Sequence, residues 1–340
     1  MKLSMFLILI LLLFAVIRTN AQSAPSSRLD KLFTSYIDSG FAGSVLVEKE
    51  NTIVLKKGYG YSNNQTKTLN SPATLFNVAS VGKLFTTYAV LLSEKKGLLQ
   101  INDHLSKYIG SFNDIRDSIT IHHLLCHTSG LIKEGTDLDY NTRDGFIQSI
   151  KAGESDSKPG EKHRYTNAGY SMLAAVVEIA SGISFEDFLR DNIFIPLKMN
   201  NTGYPWEERI NKDLLATGYN NDHEPMPVEE NVWAARGPGN LVTSVEDLYK
   251  WISAYQNKNF MPQEFISKIF YDYVPGKDTY SWNKSKTAHN TRFYHKGGGR
   301  PDFETRIMWY PDDKILVIFC INNDYNLARQ LFNQVTAIIN

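Results

Sequence analysis

The sequence predicts an α/β fold of the α+β type. One antiparallel sheet of about five strands is built from both ends of the chain and flanked by terminal helices, and a mainly helical lobe is inserted between the strands. Three observations carry this expectation. Runs rich in β-branched and aromatic residues lie near both ends of the 340-residue chain, and helical patterns fill the middle. Apolar residues make up 42% and charged residues 21%, enough for a substantial core and too apolar for a disordered chain. No repeat or low-complexity tract interrupts the pattern. A cleft between sheet and lobe is where a site would lie.

The elements follow in order. Met5 to Ile17 is an apolar run of 13 residues, too short for a bilayer span of roughly 20 but suited to a signal-peptide h-region. Small residues at Thr19 and Ala21 place cleavage after Ala21, with an uncleaved anchor as the alternative. Residues 1–21 are thus expected to be a signal peptide, residues 22–340 the folded domain, and the protein exported to a periplasm or secreted. Removing the leader takes Lys2 and Arg18 and leaves 34 basic against 36 acidic residues, with no basic field for nucleic acid and no membrane span. Residues 27–38 form an amphipathic helix, and residues 43–49 and 52–58 form two strands joined at Glu50-Asn51. A helix opens at "NVASVGK" and stops at Gly97.

Further helices are expected at "TIHHLLCHTSGL", "TRDGFIQSIKAG", "NAGYSMLAAVVEIAS" and "SFEDFLRDNIF", the last two separated by Gly182. Another follows the loop "GPGN", with Thr243 or Ser244 as its cap. Three strands, "TRFYHKGG", "FETRIMWYP" and "KILVIFCINN", precede a closing helix, "YNLARQLFNQVTAII". The only cysteines, Cys126 and Cys320, could pair in an oxidising compartment, but Cys320 sits in an apolar strand and suits a buried free thiol equally well.

Three stretches carry chemistry. Ser80 and Lys83, at i and i+3, share one helix face near a positive helix start. A serine needs such a neighbour to act as a nucleophile, although a capping serine and a snorkelling lysine would give the same letters. Tyr165 and Asn167, two apart in "HRYTNAGY", point the same way in an extended segment. A phenol near an ammonium ionises more easily and can serve as a base. The third stretch is "YHKGGGRPDF", a cation followed by glycines that admit close backbone approach. His123 and His127, at i and i+4 beside Cys126, also have metal-ligand spacing, so a zinc hydrolase is a competing reading. No HExxH accompanies them.

Together and in this order, "SVGK" (80–83), "YTN" (165–167), "HTSGL" (127–131) and "GPGNLVTSVEDLYKW" (237–251) resemble the serine β-lactamase / penicillin-binding-protein (DD-peptidase) family, in its class C and esterase-like branch. The resemblance spans roughly Ser44 to Asn322 and implies the β-lactamase/transpeptidase-like fold. It assigns "HTSGL" to a structural loop and implies no metal and no cofactor. It makes Ser80 the nucleophile, with Lys83 polarising it, and Tyr165 the general base. Asn167 would orient Lys83 and the substrate amide. The third family motif falls at His295-Lys296-Gly297 or at Lys296-Gly297-Gly298. The family pattern H-x-G-G-x-P-G-F favours the second register, because Lys296 lies five before Pro301. Lys296 would then hold a substrate anion or the tyrosinate, with Gly297 and Gly298 lining the substrate, and the N–H groups of Ser80 and Gly299 would form the oxyanion hole.

The implied partner is a small molecule or peptide: a cell-wall peptide, a β-lactam, a D-amino-acid amide or an ester, attacked to give an acyl-enzyme. A catalytically silent module that binds cell-wall peptide is the alternative. Three positions depart from the family pattern: Gly82 inside SxxK, Cys126 for a threonine, and Asp302 for a glycine.

Overall fold

The computed structural model describes residues 26–132, 141–220, 222–228, 230–277, 279–323 and 325–339. The expected signal peptide lies outside the described residues. A helix over residues 26–35 (α1) leads into β1 (Gly43–Lys49) and β2 (Thr52–Tyr59). Glu50 and Asn51 turn this hairpin with φ of 50° and 60°, the left-handed pair whose twist matches that of the strands. Short strands β3 (Tyr61–Asn63), β4 (Thr68–Leu69) and β5 (Phe76–Asn77) precede α2 (Gly82–Lys95). The lobe holds α3 (Ser106–Ile109), α4 (Ile121–Leu125), α5 (Arg143–Ala152), α6 (Asn167–Ser181) and α7 (Phe185–Leu189). The chain returns through β6 (Val242–Thr243), α8 (Val245–Ala254) and α9 (Gln263–Ile269). It ends with β7 (Asn283–Lys286), β8 (Arg292–Gly299), β9 (Glu304–Tyr310), β10 (Ile315–Ile321) and α10 (Tyr325–Ile339).

The main sheet has six strands in the order β2-β1-β10-β9-β8-β7, every pair antiparallel. The two chain ends meet where Val47 of β1 lies opposite Val317 of β10. The sixth strand, β7, is "NKSK", a polar edge paired to β8. It has no apolar alternation to reveal it, and its lysines discourage further strands from adding at the edge. Successive strand residues face opposite ways. Val45, Val47, Val317 and Phe319 therefore pack with Leu29, Phe33, Leu331 and Val335 of the terminal helices. Leu46, Ile307, Leu316 and Ile318 join the larger core of the lobe. Ser244 is the cap of α8, accepting from Asp247 N, and Gly182 ends α6 at φ 75°. Cys126 and Cys320 are both buried free thiols, and no bridge joins them. Burial pushes each thiol up to about 12, which keeps them unreactive.

Candidate active site

Ser80 stands in a 3₁₀ turn, Ala79–Val81, just ahead of α2, and caps neither element. The residue before it, Ala79, has φ 43°, a left-handed conformation that costs a residue with a Cβ about 1–2 kcal/mol. The surroundings enforce it. Asn77 Oδ1 accepts from Ala79 N at 2.9 Å, Val78 N donates to Leu241 O at 2.9 Å, and Asn77 pairs with Val242 across β5 and β6.

Glycines let three segments converge on this turn. A Cβ on Gly82 would lie 3.0 Å from Gly239 Cα, and one on Gly239 would lie 3.1 Å from the Ala79 carbonyl carbon. Gly82 thus serves a close approach, beyond its small cost to the helix start. A Cβ on Gly298 would lie 2.1 Å from Val78 O and 2.9 Å from Ser80 N, so β8 lies directly against the Ser80 turn. Gly298→Ala must push β8 away from Ser80, since backbone cannot yield as a side chain does. A displacement near 1 Å costs about 100-fold. The expected result is at least that loss in kcat/KM on a chromogenic ester, with a lowered Tm.

Lys83 is fully buried, and its Nζ donates to Asn167 Oδ1 at 2.7 Å, Pro238 O at 3.0 Å and Ser80 Oγ at 3.2 Å. The amide and backbone oxygens can only accept, and an ammonium with three protons serves all three partners. Asn167 is the first residue of α6 rather than its cap, so its side chain is available to Lys83. Tyr165 Oη lies 2.8 Å from Ser80 Oγ, and Lys83 Nζ lies 4.9 Å from the centre of the Tyr165 ring. The structure therefore brings Ser80, Lys83, Tyr165 and Asn167 together.

On β8, Tyr294, Lys296 and Gly298 face the lobe, and Lys296 is buried. His295 faces the terminal helices, stacked on Phe293 at 5.0 Å. Gly297 shares that outer side, where a Cβ would meet the Arg306 guanidinium at 2.3 Å, so Gly297 does not line the lobe-facing surface. Gly299 ends the strand, exposed, one residue beyond the contact with Ser80.

Asp302, which stands at a glycine position of the family pattern, lines a cleft together with Arg300 and Phe303. It is buried and ion-paired to Arg300 Nε at 3.0 Å, and its backbone is not left-handed. Residues of the 203–236 stretch, among them Thr217, Met226 and Val228, wall a cleft of about 490 Å³. Its other wall includes Asn77, Arg300, Asp302 and Phe303, next to the Ser80 turn and the end of β8.

The histidines take separate positions. His123 Nδ1 accepts from Thr120 N in the capping box of α4, and His122 Nδ1 lies 2.6 Å from Tyr280 Oη. His127 follows the end of α4 at φ 57°, so it shares no helix face with His123. Among the described residues no group of three His, Cys, Asp or Glu is placed to hold a metal. His127 packs on Tyr165 with ring centroids 4.4 Å apart. Burial first, then the charges of Lys83 and Lys296, hold His127 well below the ordinary imidazole range, and burial lowers His122 and His123 too.

Acid sensitivity follows from these three. Unfolded imidazoles protonate near about 6.5, and the folded ones resist. The unfolded state then binds more protons, so stability held above that pH is lost as the pH falls through it. Urea midpoints measured from pH 7.5 to 5.5 should fall, by less than the three histidines alone would give, because Glu304, whose carboxyl burial pushes up to about 7, protonates in the same range and stabilises the folded state there.

His127, Pro238, Asn77 and Gly239 belong to this site, although sequence reasoning gave them no chemical part in it. "HTSGL" and "GPGN" stood out as segments, but nothing in either says that they meet beside Ser80 and Tyr165.

A sequence model of the family described as Beta-lactamase matches residues 29–336. A Staphylococcus aureus relative (strain NCTC 8325 / PS 47), a teichoic acid D-alanine hydrolase, is 26% identical over 321 residues, covering 93% of this chain and 79% of its own length. The solved structure of an octameric penicillin-binding protein homologue from Pyrococcus abyssi superposes with a TM-score of 0.78 at 25% identity, over 90% of this chain and 77% of that one. A class C β-lactamase shares the fold, with a TM-score of 0.79 at 18% identity, over 94% of this chain and 95% of that one.

Proposed function

The chain belongs to the β-lactamase family of serine hydrolases, and on that premise we propose that it cleaves D-alanyl esters through an acyl-enzyme on Ser80. The single observation that carries the chemistry is the contact of Tyr165 Oη with Ser80 Oγ at 2.8 Å, beside a buried Lys83 held by Asn167. Tyr165, its ionised form favoured by the nearby ammonium, takes the Ser80 proton as Oγ attacks the ester carbonyl. The N–H groups of Ser80 and Gly299 receive the oxyanion. Tyr165 returns the proton to the leaving alcohol as the ester bond breaks; in deacylation it takes a proton from the attacking water and gives it to Ser80 Oγ as the acyl–Oγ bond breaks, and D-alanine leaves. Asn167 and Lys296 hold the substrate's polar groups, and Gly298 allows the close approach of β8.

The ester preference rests on the likeness to the teichoic acid D-alanine hydrolase, which runs through nearly the whole chain. The cleft beside Arg300 offers room for a long leaving group. An exported enzyme with residues 1–21 removed fits a cell-envelope substrate, and no helix among the described residues is long and apolar enough to cross a membrane.

The test is a substrate panel: D-alanyl glycerol phosphate, a benzylpenicillin and a D-Ala-D-Ala peptide, read by product release and intact mass. Steady D-alanine release from the ester, with slow or no turnover of the other two, is expected. Turnover of the penicillin or peptide without the ester overturns the substrate. An absence of turnover and of any acyl adduct overturns the enzyme itself.

A further inference from the structure

We infer that His127 is the positioning residue for Tyr165, holding the phenol against Ser80 through a stacked imidazole and a clamp on the backbone at either side. This rests on the reading of Tyr165 as the base. His127 meets three consecutive residues of the segment that carries the phenol. Its carbonyl accepts from Arg164 N at 2.8 Å, and its Nδ1 accepts from Thr166 N at 3.3 Å. Its ring lies against the Tyr165 ring, with centroids 4.4 Å apart and planes 31° apart. It also packs on Tyr170 of α6, at 5.0 Å and 32°.

Tyr165 is 39% exposed, so the placement of its ring depends on the buried side. His127 is 1% exposed there, and its own left-handed backbone is set by the end of α4. The phenol is thus referenced to the lobe core, as a base must be to stay within hydrogen-bond reach of its nucleophile.

The chemistry of the imidazole makes the clamp specific. A ring nitrogen that accepts a backbone N–H carries no proton, so the proton sits on Nε2. An imidazolium has two donors and would lose the Thr166 contact. The titratable groups that face His127 are Lys83 from α2, Lys296 from β8, His163 and Tyr165 from the segment before α6, and Tyr170 of α6. Lys83, Lys296 and His163 oppose a further positive charge there.

Two variants separate the parts. His127→Phe keeps a ring and loses the acceptor, and His127→Asn keeps an acceptor and loses the ring. The readout is the acylation burst with a p-nitrophenyl ester from pH 5 to 10, together with KM and Tm. His127→Asn is expected to slow acylation about 100-fold, to change KM less than about threefold, and to move the acid limb up toward the ordinary phenol range near 10. His127→Phe should keep the limb in place and stay within about tenfold of the parent rate.

Parent-like rate and limb in His127→Asn would overturn the inference. So would a loss in both variants that follows Tm with the limb unmoved. If His127→Asn fails to fold, His127→Phe decides alone, because its ring must hold the limb. Tyr165→Phe is run beside them. Parent-like acylation there removes the base reading itself, whereas its inactivity beside an unaffected His127→Asn removes only the positioning.

Discussion

Ser80→Ala is expected to lower kcat/KM on any acyl substrate by about 10⁴-fold or more, the scale of loss when a serine hydrolase forfeits its nucleophile. No other hydroxyl can substitute, because the position is built rather than chosen. Ala79 is held left-handed by Asn77, and β8 reaches the turn only because Gly298 lacks a Cβ. Intact-protein mass after a fluorophosphonate or a fluorescent penicillin should show one adduct, mapped to Ser80 and absent from the variant. Ser80 is only half-buried and caps no helix, so its loss should leave Tm nearly unchanged. An adduct that persists in Ser80→Ala would move the nucleophile elsewhere.

Lys83→Met should be nearly as damaging to catalysis, with only a small net effect on the fold. Methionine fills much of the same volume, but removes the cation that favours the tyrosinate and polarises Ser80, a loss of about 10³-fold by analogy with deleting one electrostatic contact in a closed site. Stability faces opposing terms. Asn167 Oδ1 and Pro238 O lose a donor, at about 1–3 kcal/mol each. Against this, a fully buried ammonium no longer has to be desolvated, which recovers a cost of several kcal/mol. A Tm within about 5 °C of the parent, or above it, is therefore expected from differential scanning calorimetry. A collapse of Tm would make Lys83 chiefly a structural tie between α2 and α6, and would weaken its catalytic part.

Local chemistry announces itself in the sequence and long-range approach does not. The β1–β2 hairpin was legible because Glu50-Asn51 suits a left-handed turn between alternating strands. A cap at Thr243 or Ser244 was legible because acids follow in the first turn, and Ser244 is the one that caps. Ser80, Lys83, Tyr165 and Asn167 were candidates by type and spacing, since i,i+3 and i,i+2 neighbours are local relations, and the order of their motifs, by its likeness to a family, singled them out. The polar edge strand β7 carried no hydrophobic signal, and its pairing with β8 alone defines it. Asp302 was legible only as a departure from glycine; that it is buried at the cleft in an ion pair with Arg300, two residues away, is a fact of packing.

What the sequence alone determined is thus the α+β class, the order of the main elements and, through its likeness to a family, the candidate site residues, because each depends on periodicity or on short motifs. What only the tertiary structure decided is how segments from residues 77–83, 127, 163–167, 237–240 and 296–299 close on one point. Glycine contacts, a left-handed alanine and a buried imidazole set those distances. Such contacts depend on sheet register and on packing between residues far apart in the chain, which no local pattern encodes.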